Sequence, residues 1–466
     1  MDKLPTLERN SVTMPTASRD APKAPDEVSI GEAFWFWLKL GFMSFGGPAG
    51  QIAIMHQELV ERRRWISERR FLHALNYTMV LPGPEAQQLA TYIGWLMHGI
   101  TGGIVAGGLF VLPSFFIICA LAWAYLAFGD TPGVAGILYG IKPAVTAVVL
   151  FAAYRIGCRA LRNGVLWSIA AAAFLALFAF DVPFPYIVLG ALAIGVLGSR
   201  VAPEKFAGGQ HARTEQFFGS AFIDDDTPVA EHARLRWSRL LAIGFAGIAL
   251  WVAAMMLLID AYGWDGTLTR MGWFFSKAAL VTFGGAYAVL PYVYQGGVES
   301  YQWLTGVQMI DGLALGETTP GPLIMIVTFV GFVGAWTKAV FGPEATALAG
   351  IAGGAVATAF TFLPSFLFIL VGGPLIEATR NEVRLSAPLT AITAAVVGVI
   401  VNLALFFAWH VLWPEGSAEA PFSGRFEWFS LIMSLAAFVA LWRFKIGIIS
   451  VIAACALVGL SVRFFL

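Results

Sequence analysis

Four short glycine and proline runs interrupt long apolar stretches of this sequence. They are FGGP at 45–48, LPGP at 81–84, FGG at 283–285 and TPGP at 319–322. Such runs cannot sustain a helix, so each stretch is expected to form two short helices separated by a turn. A helix that begins inside a membrane has unpaired N–H groups and the positive end of its dipole there. The turns are therefore predicted to bind an anion, unless they are kinks needed only for packing.

Small and polar residues around these turns form the predicted substrate-binding set. Glycine allows close approach to the backbone, hydroxyl and amide groups supply neutral hydrogen bonds, and two lysines could neutralise bound charge. The set is Lys39, Ser44, Gly46, Gly47, Pro82, Gly83, Gln87, Gln88, Lys277, Thr282, Gly284, Gly285, Thr318, Thr319 and Gly321. The lysines occupy matched positions in otherwise apolar helices. Alternatively, both lysines only reach to the membrane surface.

Two carboxylates lie beside the turns. Glu85 directly follows the first PGP and Glu317 precedes the second by three residues. Either could carry a proton exchanged for the substrate, or could only cap the broken backbone. The sequence contains no nucleotide motif, no nucleophile elbow and no histidine or cysteine spacing typical of a metal site. No metal, cofactor or enzymatic activity is therefore expected.

The composition places these stretches in a lipid bilayer. Hydrophobic residues make up 58% of the 466 positions and charged residues only 12%, about half the charged fraction of a soluble domain. The 29 basic and 29 acidic residues balance, so no nucleic-acid partner is indicated. Nine uninterrupted apolar segments are long enough to cross a membrane. They are 100–128, 133–154, 164–180, 183–198, 240–259, 345–376, 387–413, 428–442 and 446–462.

The chain is an internal duplication. A shift of 238 positions superposes Lys39 on Lys277, both FGG runs and both PGP runs. A shift of 251 superposes LPSF at 112–115 on LPSF at 363–366, which implies a 13-residue insertion in the second copy. The single unpaired segment after the linker reverses the orientation of the second copy, as in many secondary transporters. The fold expected is an all-α polytopic membrane protein with two inverted-topology repeats and broken or re-entrant helices.

The duplication divides the chain into five parts. Residues 1–30 are predicted to be a disordered cytoplasmic tail, and 31–199 the first repeat. A cytoplasmic linker (200–239) and one extra transmembrane helix (240–262) lead to the second, inverted repeat (263–466). The arginines at 62–64 lie in the cytoplasm if the broken segments are re-entrant hairpins, which leaves nine full crossings. If every segment crosses, there are thirteen crossings and this loop violates the positive-inside rule.

The motifs resemble those of the chromate ion transporter family, in its long two-domain form. FGGPAGQIA at 45–53, LPGPEAQQLATYIGW at 81–95 and VLPSF at 111–115 carry the resemblance, with FGG and TPGP in the second half. It implies a multi-pass protein of the bacterial inner membrane that exports chromate and confers resistance. The second half departs from the first at Ala286 and Leu323, which stand where the first has Pro48 and Glu85.

The expected partners are therefore a chromate or sulfate-like oxyanion and the bilayer, and pairing into a homodimer stays open. Chromate and sulfate are tetrahedral dianions of similar size, so backbone N–H groups would accept either. A sulfate or other oxyanion transporter is the nearest alternative. An intramembrane enzyme is a remote one.

Overall fold

A computed structural model describes residues 25, 27–45, 47–129, 131–206, 218–228, 230–283, 286–378, 386–416 and 420–465. Most of the predicted tail, part of the linker and three predicted site residues (Gly46, Gly284 and Gly285) lie outside this set. The described residues form seventeen α-helices. These are α1 (Ile30–Met43), α2 (Gly47–His56), α3 (Glu68–Thr78), α4 (Glu85–Phe128), α5 (Pro132–Ala160), α6 (Gly164–Phe180), α7 (Phe184–Val201), α8 (Pro203–Phe206), α9 (Trp237–Tyr262), α10 (Thr267–Val281), α11 (Ala286–Tyr294), α12 (Gly306–Thr318), α13 (Ile326–Thr337), α14 (Thr346–Ala378), α15 (Ser386–Leu412), α16 (Trp428–Trp442) and α17 (Ile448–Phe465).

The protein is an all-α, multi-pass membrane protein, as its composition predicts. Among the described residues, α4, α5, α7, α9, α14 and α15 contain stretches long and apolar enough to cross a bilayer, and α6, α13, α16 and α17 are shorter apolar helices. Each of the nine uninterrupted segments predicted from the sequence coincides with a helix or with the second part of α4. The breaks also fall where predicted, after α1, α3, α10 and α12.

Both halves have the same order of elements. In each, a broken helix pair ends in a single π-helical turn, at 57–62 after α2 and at 295–300 after α11. These two turns differ by the 238 positions of the sequence repeat, although nothing in the sequence pattern predicts them. Both copies of the sequence repeat therefore contain the same local change in helix geometry.

The first broken pair of each half doubles back on itself. The ring centroid of Phe36, on α1, lies 4.7 Å from that of Trp65, just beyond the π-helical turn. The repeat-related rings of Phe274 and Trp303 lie 5.4 Å apart. Because the start and the end of each pair meet, each pair forms a hairpin.

The chain also reverses direction directly after the second broken pair of each half. The backbone of α4 is non-helical at His98 and Gly99, after which its second arm (100–128) returns along its first (85–97). Gly94 consequently lies against Gly102. In the second half, α13 folds back on α14 in the same way, with Gly331 against Gly353. The 13-residue insertion falls in this second reversal, around residues 338–345.

Two central helices are exchanged between the halves. Helix α5 of the first half packs against α16 and α17 of the second, whereas α15 packs against α6 and α7 of the first. The α5–α17 contact is so close that a side chain at Gly140 would collide with the backbone of Cys455. Small residues permit this approach of two helices in a membrane.

The linker and α9 connect the halves. Linker residue Ile223 pairs with Ile66 through backbone hydrogen bonds, including Ser67 N–H to Ile223 O at 3.0 Å. The hydroxyl of Ser67 donates to Asp225 at 2.6 Å. Helix α9 contacts α10 and α14, and most of its apolar surface is exposed, as expected of a helix that faces lipid.

Candidate functional site

Two reciprocal hydrogen bonds bring all four helix breaks together. The N–H of Gly83, in the PGP turn of the first half, donates to the carbonyl of Thr282 at 2.7 Å. The N–H of Gly321, in the PGP turn of the second half, donates to the carbonyl of Ser44, also at 2.7 Å. Each PGP turn is therefore attached to the FGG break of the opposite half. This arrangement defines the break cluster, which comprises Ser44, Gly83, Thr282, Gly321 and the side chains around them.

The glycine of each PGP turn has a backbone conformation that other residues rarely adopt. Gly83 has a φ of 127° and Gly321 a φ of 105°. Both positions are also crowded, since a Cβ at Gly83 would collide with the Ser365 hydroxyl and a Cβ at Gly321 would lie 2.6 Å from Ser114 Cβ. Only glycine meets both requirements.

Two glutamine amides hold the turns in place. Gln88 Nε2 donates to Pro82 O at 2.8 Å. Gln51 Nε2 donates to Gly321 O and, at 3.4 Å, to Ser44 O. Both side chains are fully buried. Gln88 belongs to the predicted set, whereas Gln51 was missed, although it lies within the FGGPAGQIA motif at 45–53.

Two serines of the repeated LPSF motif also face the break cluster. Ser114 lies against Gly321, and its repeat equivalent Ser365 lies against Gly83. Both hydroxyls are fully buried and neither has a hydrogen-bond partner among the described residues. They were absent from the predicted set, although their occurrence in both copies of one motif was a usable signal.

Several predicted polar residues lie in the cluster but use their hydroxyls or amides locally. The Ser44 and Thr282 hydroxyls donate to Leu40 O and Ala278 O, each at 2.6 Å. Thr318 and Thr319 likewise donate to carbonyls of α12, and Gln87 donates to Thr91 at 2.9 Å.

The starts of α2 and α4 lie at the breaks of the first half. Gly47 begins α2 with a φ of 71°. Pro84 precedes α4 as a cap without a side-chain hydrogen bond, so the first N–H groups of α4 have no side-chain acceptor from it.

The two matched lysines are not brought into the cluster. The Lys39 side chain is exposed on α1. Lys277 is half-buried on α10, with its Nζ 5.6 Å from the centroid of the Trp273 ring. Both placements suit a side chain that reaches toward the membrane surface, so direct anion binding by these lysines stays a prediction.

The two predicted proton carriers have different environments. Glu85 is half-buried in the first turn of α4. Glu317, which is 5% exposed, accepts a hydrogen bond from the Tyr287 hydroxyl. The half-buried Arg155 of α5 interacts electrostatically with Glu317. The hydrogen bond from Tyr287 to Glu317 therefore joins α11 to α12.

An ion pair between a buried acid and a partly exposed lysine links the halves. Asp311 on α12 is 2% exposed, and its Oδ2 lies 3.8 Å from Lys142 Nζ on α5. The Tyr125 hydroxyl donates to the same oxygen at 3.0 Å, whereas Oδ1 has no hydrogen-bond partner among the described residues. Asp311 was not singled out from the sequence, although an acid inside an apolar helix was a signal.

Comparison with known proteins gives a consistent result over most of the chain. The family model described as Chromate transporter matches residues 31–196 and 269–460. The chain is 32% identical over 456 residues to the chromate transport protein of Pseudomonas aeruginosa, covering 96% of both chains. It is 30% identical over 402 residues to the chromate transport protein of Cupriavidus metallidurans, covering 84% of this chain and 88% of that protein.

A shorter relative matches one half only. The uncharacterized transporter YwrA of Bacillus subtilis is 26% identical over 168 residues, which are 35% of this chain and 94% of YwrA. No solved structure matches the chain. With both halves matched by one family model of transporters, and with the expected motifs at all four breaks of the sequence, the chain belongs to the chromate transporter family.

Proposed function

We propose that this protein is a secondary transporter that exports chromate across the bacterial inner membrane and thereby confers chromate resistance. The observation that carries the proposal is the reciprocal pair of hydrogen bonds from Gly83 to Thr282 and from Gly321 to Ser44. They gather four helix breaks, each with a terminus able to attract an anion, into one buried cluster. The names of the two long relatives support chromate as the anion.

The membrane potential supplies a driving force for export. Moving one charge through 100 mV is worth about 2.3 kcal/mol, so a dianion leaving an interior-negative cell gains roughly 4.6 kcal/mol. Protons entering in exchange would add to this. Glu85 and Glu317 are the proposed proton carriers, because both carboxylates lie next to the breaks that would bind the anion.

The two halves are proposed to have opposite orientations in the membrane. Hairpins formed by the broken helices add no net crossing. The crossings of the first half are then the second arm of α4, α5, α6 and α7, which is an even number. Helix α9 adds one crossing and inverts the second half. Inverted halves that share one central cluster are suited to opening it to each side of the membrane in turn.

Cysteine labelling tests this orientation. Arg62 and Ser300 are repeat equivalents at the ends of the two π-helical turns, and both are exposed. In a background without Cys119, Cys158 and Cys455, R62C is expected to react with a membrane-impermeant maleimide only from the cytoplasm. S300C is expected to react only from the periplasm. Labelling of both from one side would contradict the inverted arrangement.

Chromate flux in inside-out vesicles tests the function. With an imposed inside-positive potential, vesicles containing the protein are expected to accumulate chromate several-fold above vesicles without it. A proton gradient with its acidic side inside the vesicles is expected to increase the rate of chromate uptake. Replacing Glu317 or Glu85 by glutamine should remove this proton dependence while the response to potential remains, if that residue carries the proton.

The same vesicles provide the control and the contradicting outcome. Excess sulfate reports whether a second tetrahedral dianion competes for the site. Absence of protein-dependent chromate uptake under every imposed gradient, with the protein correctly inserted, would overturn chromate export.

A further inference from the structure

We propose that the hydroxyl groups of Ser114 and Ser365 are ligands of the transported anion and donate hydrogen bonds to the oxygens of a tetrahedral dianion. This inference rests on the proposed function and deepens it. Neither serine is among the polar residues expected from the breaks themselves, because both lie on the long helices α4 and α14 that pass beside the breaks.

These two hydroxyls differ from most of the other buried serine and threonine hydroxyls among the described residues. A buried serine or threonine in a helix commonly donates to the carbonyl four residues earlier. Within the described part of the chain, seven buried residues make such a bond, namely Ser44, Thr91, Thr146, Ser276, Thr282, Thr358 and Thr361. Ser114 and Ser365 make no such bond among the described residues, although both are fully buried. A buried hydroxyl without a partner destabilises the folded protein and calls for a functional explanation.

The placement of the two serines points to the break cluster. Ser114, from the first half, contacts the PGP glycine of the second half, and Ser365 contacts that of the first. The hydroxyls thus occupy equivalent positions beside two turns whose own N–H groups are bonded to Thr282 O and Ser44 O. Since those two backbone donors are occupied, the serines offer the unused O–H donors next to the turns.

The chemistry of a hydroxyl suits a transported dianion. Every oxygen of a tetrahedral oxyanion accepts hydrogen bonds, and a serine O–H rotates freely to supply one. A neutral donor binds the anion without forming an ion pair that would slow its release. In inverted halves, the two serines would face the anion from opposite sides of the central cluster.

Binding and unfolding measured together test the inference. The full-length protein in lipid nanodiscs is titrated with labelled sulfate and with labelled chromate, and its thermal unfolding is followed without anion. Ser114→Ala and Ser365→Ala are each expected to raise the dissociation constant about tenfold or more. Their unfolding temperatures should stay unchanged or rise, because the mutation removes a hydroxyl that has no hydrogen-bond partner among the described residues.

Ser276→Ala is the matched control. The Ser276 hydroxyl is also buried in a helix, but it donates to Gly272 O at 2.8 Å and accepts from Trp251 Nε1 at 2.8 Å. This substitution is expected to lower the unfolding temperature and to leave anion affinity unchanged. Ser114→Cys and Ser365→Cys preserve size with a weaker donor, and intermediate affinities are expected.

Several outcomes would overturn the inference or separate it from the proposed function. Unchanged affinity in both alanine variants, or a lowered unfolding temperature with unchanged affinity, would make the hydroxyls structural. A wild-type protein that binds sulfate but not chromate would contradict chromate as substrate, while the serine variants would still be judged with sulfate. A wild-type protein that binds neither dianion would overturn both proposals.

Discussion

Replacing Lys142 by methionine is expected to lower the free energy of unfolding by roughly 3–5 kcal/mol at a pH where Asp311 is ionised, because it leaves a buried carboxylate without its cation. Asp311 is 2% exposed and Lys142 is 29% exposed, so the lysine is the less buried partner. Replacing the acid instead, Asp311→Asn, should therefore lower the free energy of unfolding by less. The double variant should recover most of the loss, since no unpaired charge remains. Denaturation of the purified protein in mixed micelles gives all three values.

Lys277→Met is the control for the general cost of removing a membrane lysine. Lys277 lies over the ring of Trp273 and forms no ion pair among the described residues, so its removal should cost about 1 kcal/mol or less. Equal losses for Lys142→Met and Lys277→Met would show that the pair with Asp311 does not stabilise the protein. Additive losses in the double variant would lead to the same conclusion.

Alanine at either PGP glycine is expected to reduce chromate flux at least tenfold at matched protein levels. Backbone strain at φ of 127° or 105° costs on the order of 1–3 kcal/mol, and the new Cβ would also push Ser365 or Ser114 away from the turn. A shift of this kind in a packed cluster changes the geometry offered to the anion. Flux in vesicles, normalised to inserted protein, measures the effect for Gly83→Ala and Gly321→Ala separately.

Gly108→Ala provides the comparison. Gly108 is a helical residue of α4 with open space around its Cα, and alanine has the higher helix propensity. Its flux should equal that of the wild type. Wild-type flux in Gly83→Ala would exclude a requirement for the positive φ and the close serine contact.

The fold could be predicted because its signals extend over whole elements. Glycine and proline runs located both pairs of breaks, uninterrupted apolar runs located nine helical segments, and the registers of 238 and 251 positions predicted the 13-residue insertion. The π-helical turns at 57–62 and 295–300 were not predicted, because one extra residue in a helical turn leaves no clear mark on composition or periodicity.

Individual side chains were harder to place than helices. Lys39 and Lys277 match in type and register, yet neither side chain points into the break cluster. A sequence repeat predicts where a residue lies along its helix, but it does not predict which other helices surround the side chain. Ser114 and Ser365 match equally well and do face the cluster. The pairing of Lys142 with Asp311 has no sequence signal, because it depends on which helices become neighbours in three dimensions.

The exchange of α5 and α15 between the halves links the order of synthesis to the order of assembly. Helix α5 fits α16 and α17, which the ribosome produces only after most of the second half. At 5–20 residues per second, this delay lasts roughly a quarter of a minute to a minute. Throughout it, the surface around Gly140 has no helical partner.

A soluble protein could hardly afford such a delay, because an apolar surface waiting in water promotes aggregation. In a bilayer the waiting helix has its backbone hydrogen bonds satisfied within itself, and lipid tails cover its apolar side chains. The membrane thus covers the apolar surface of α5 until α16 and α17 have been synthesised. Halves that exchange helices are therefore compatible with synthesis from the N-terminus.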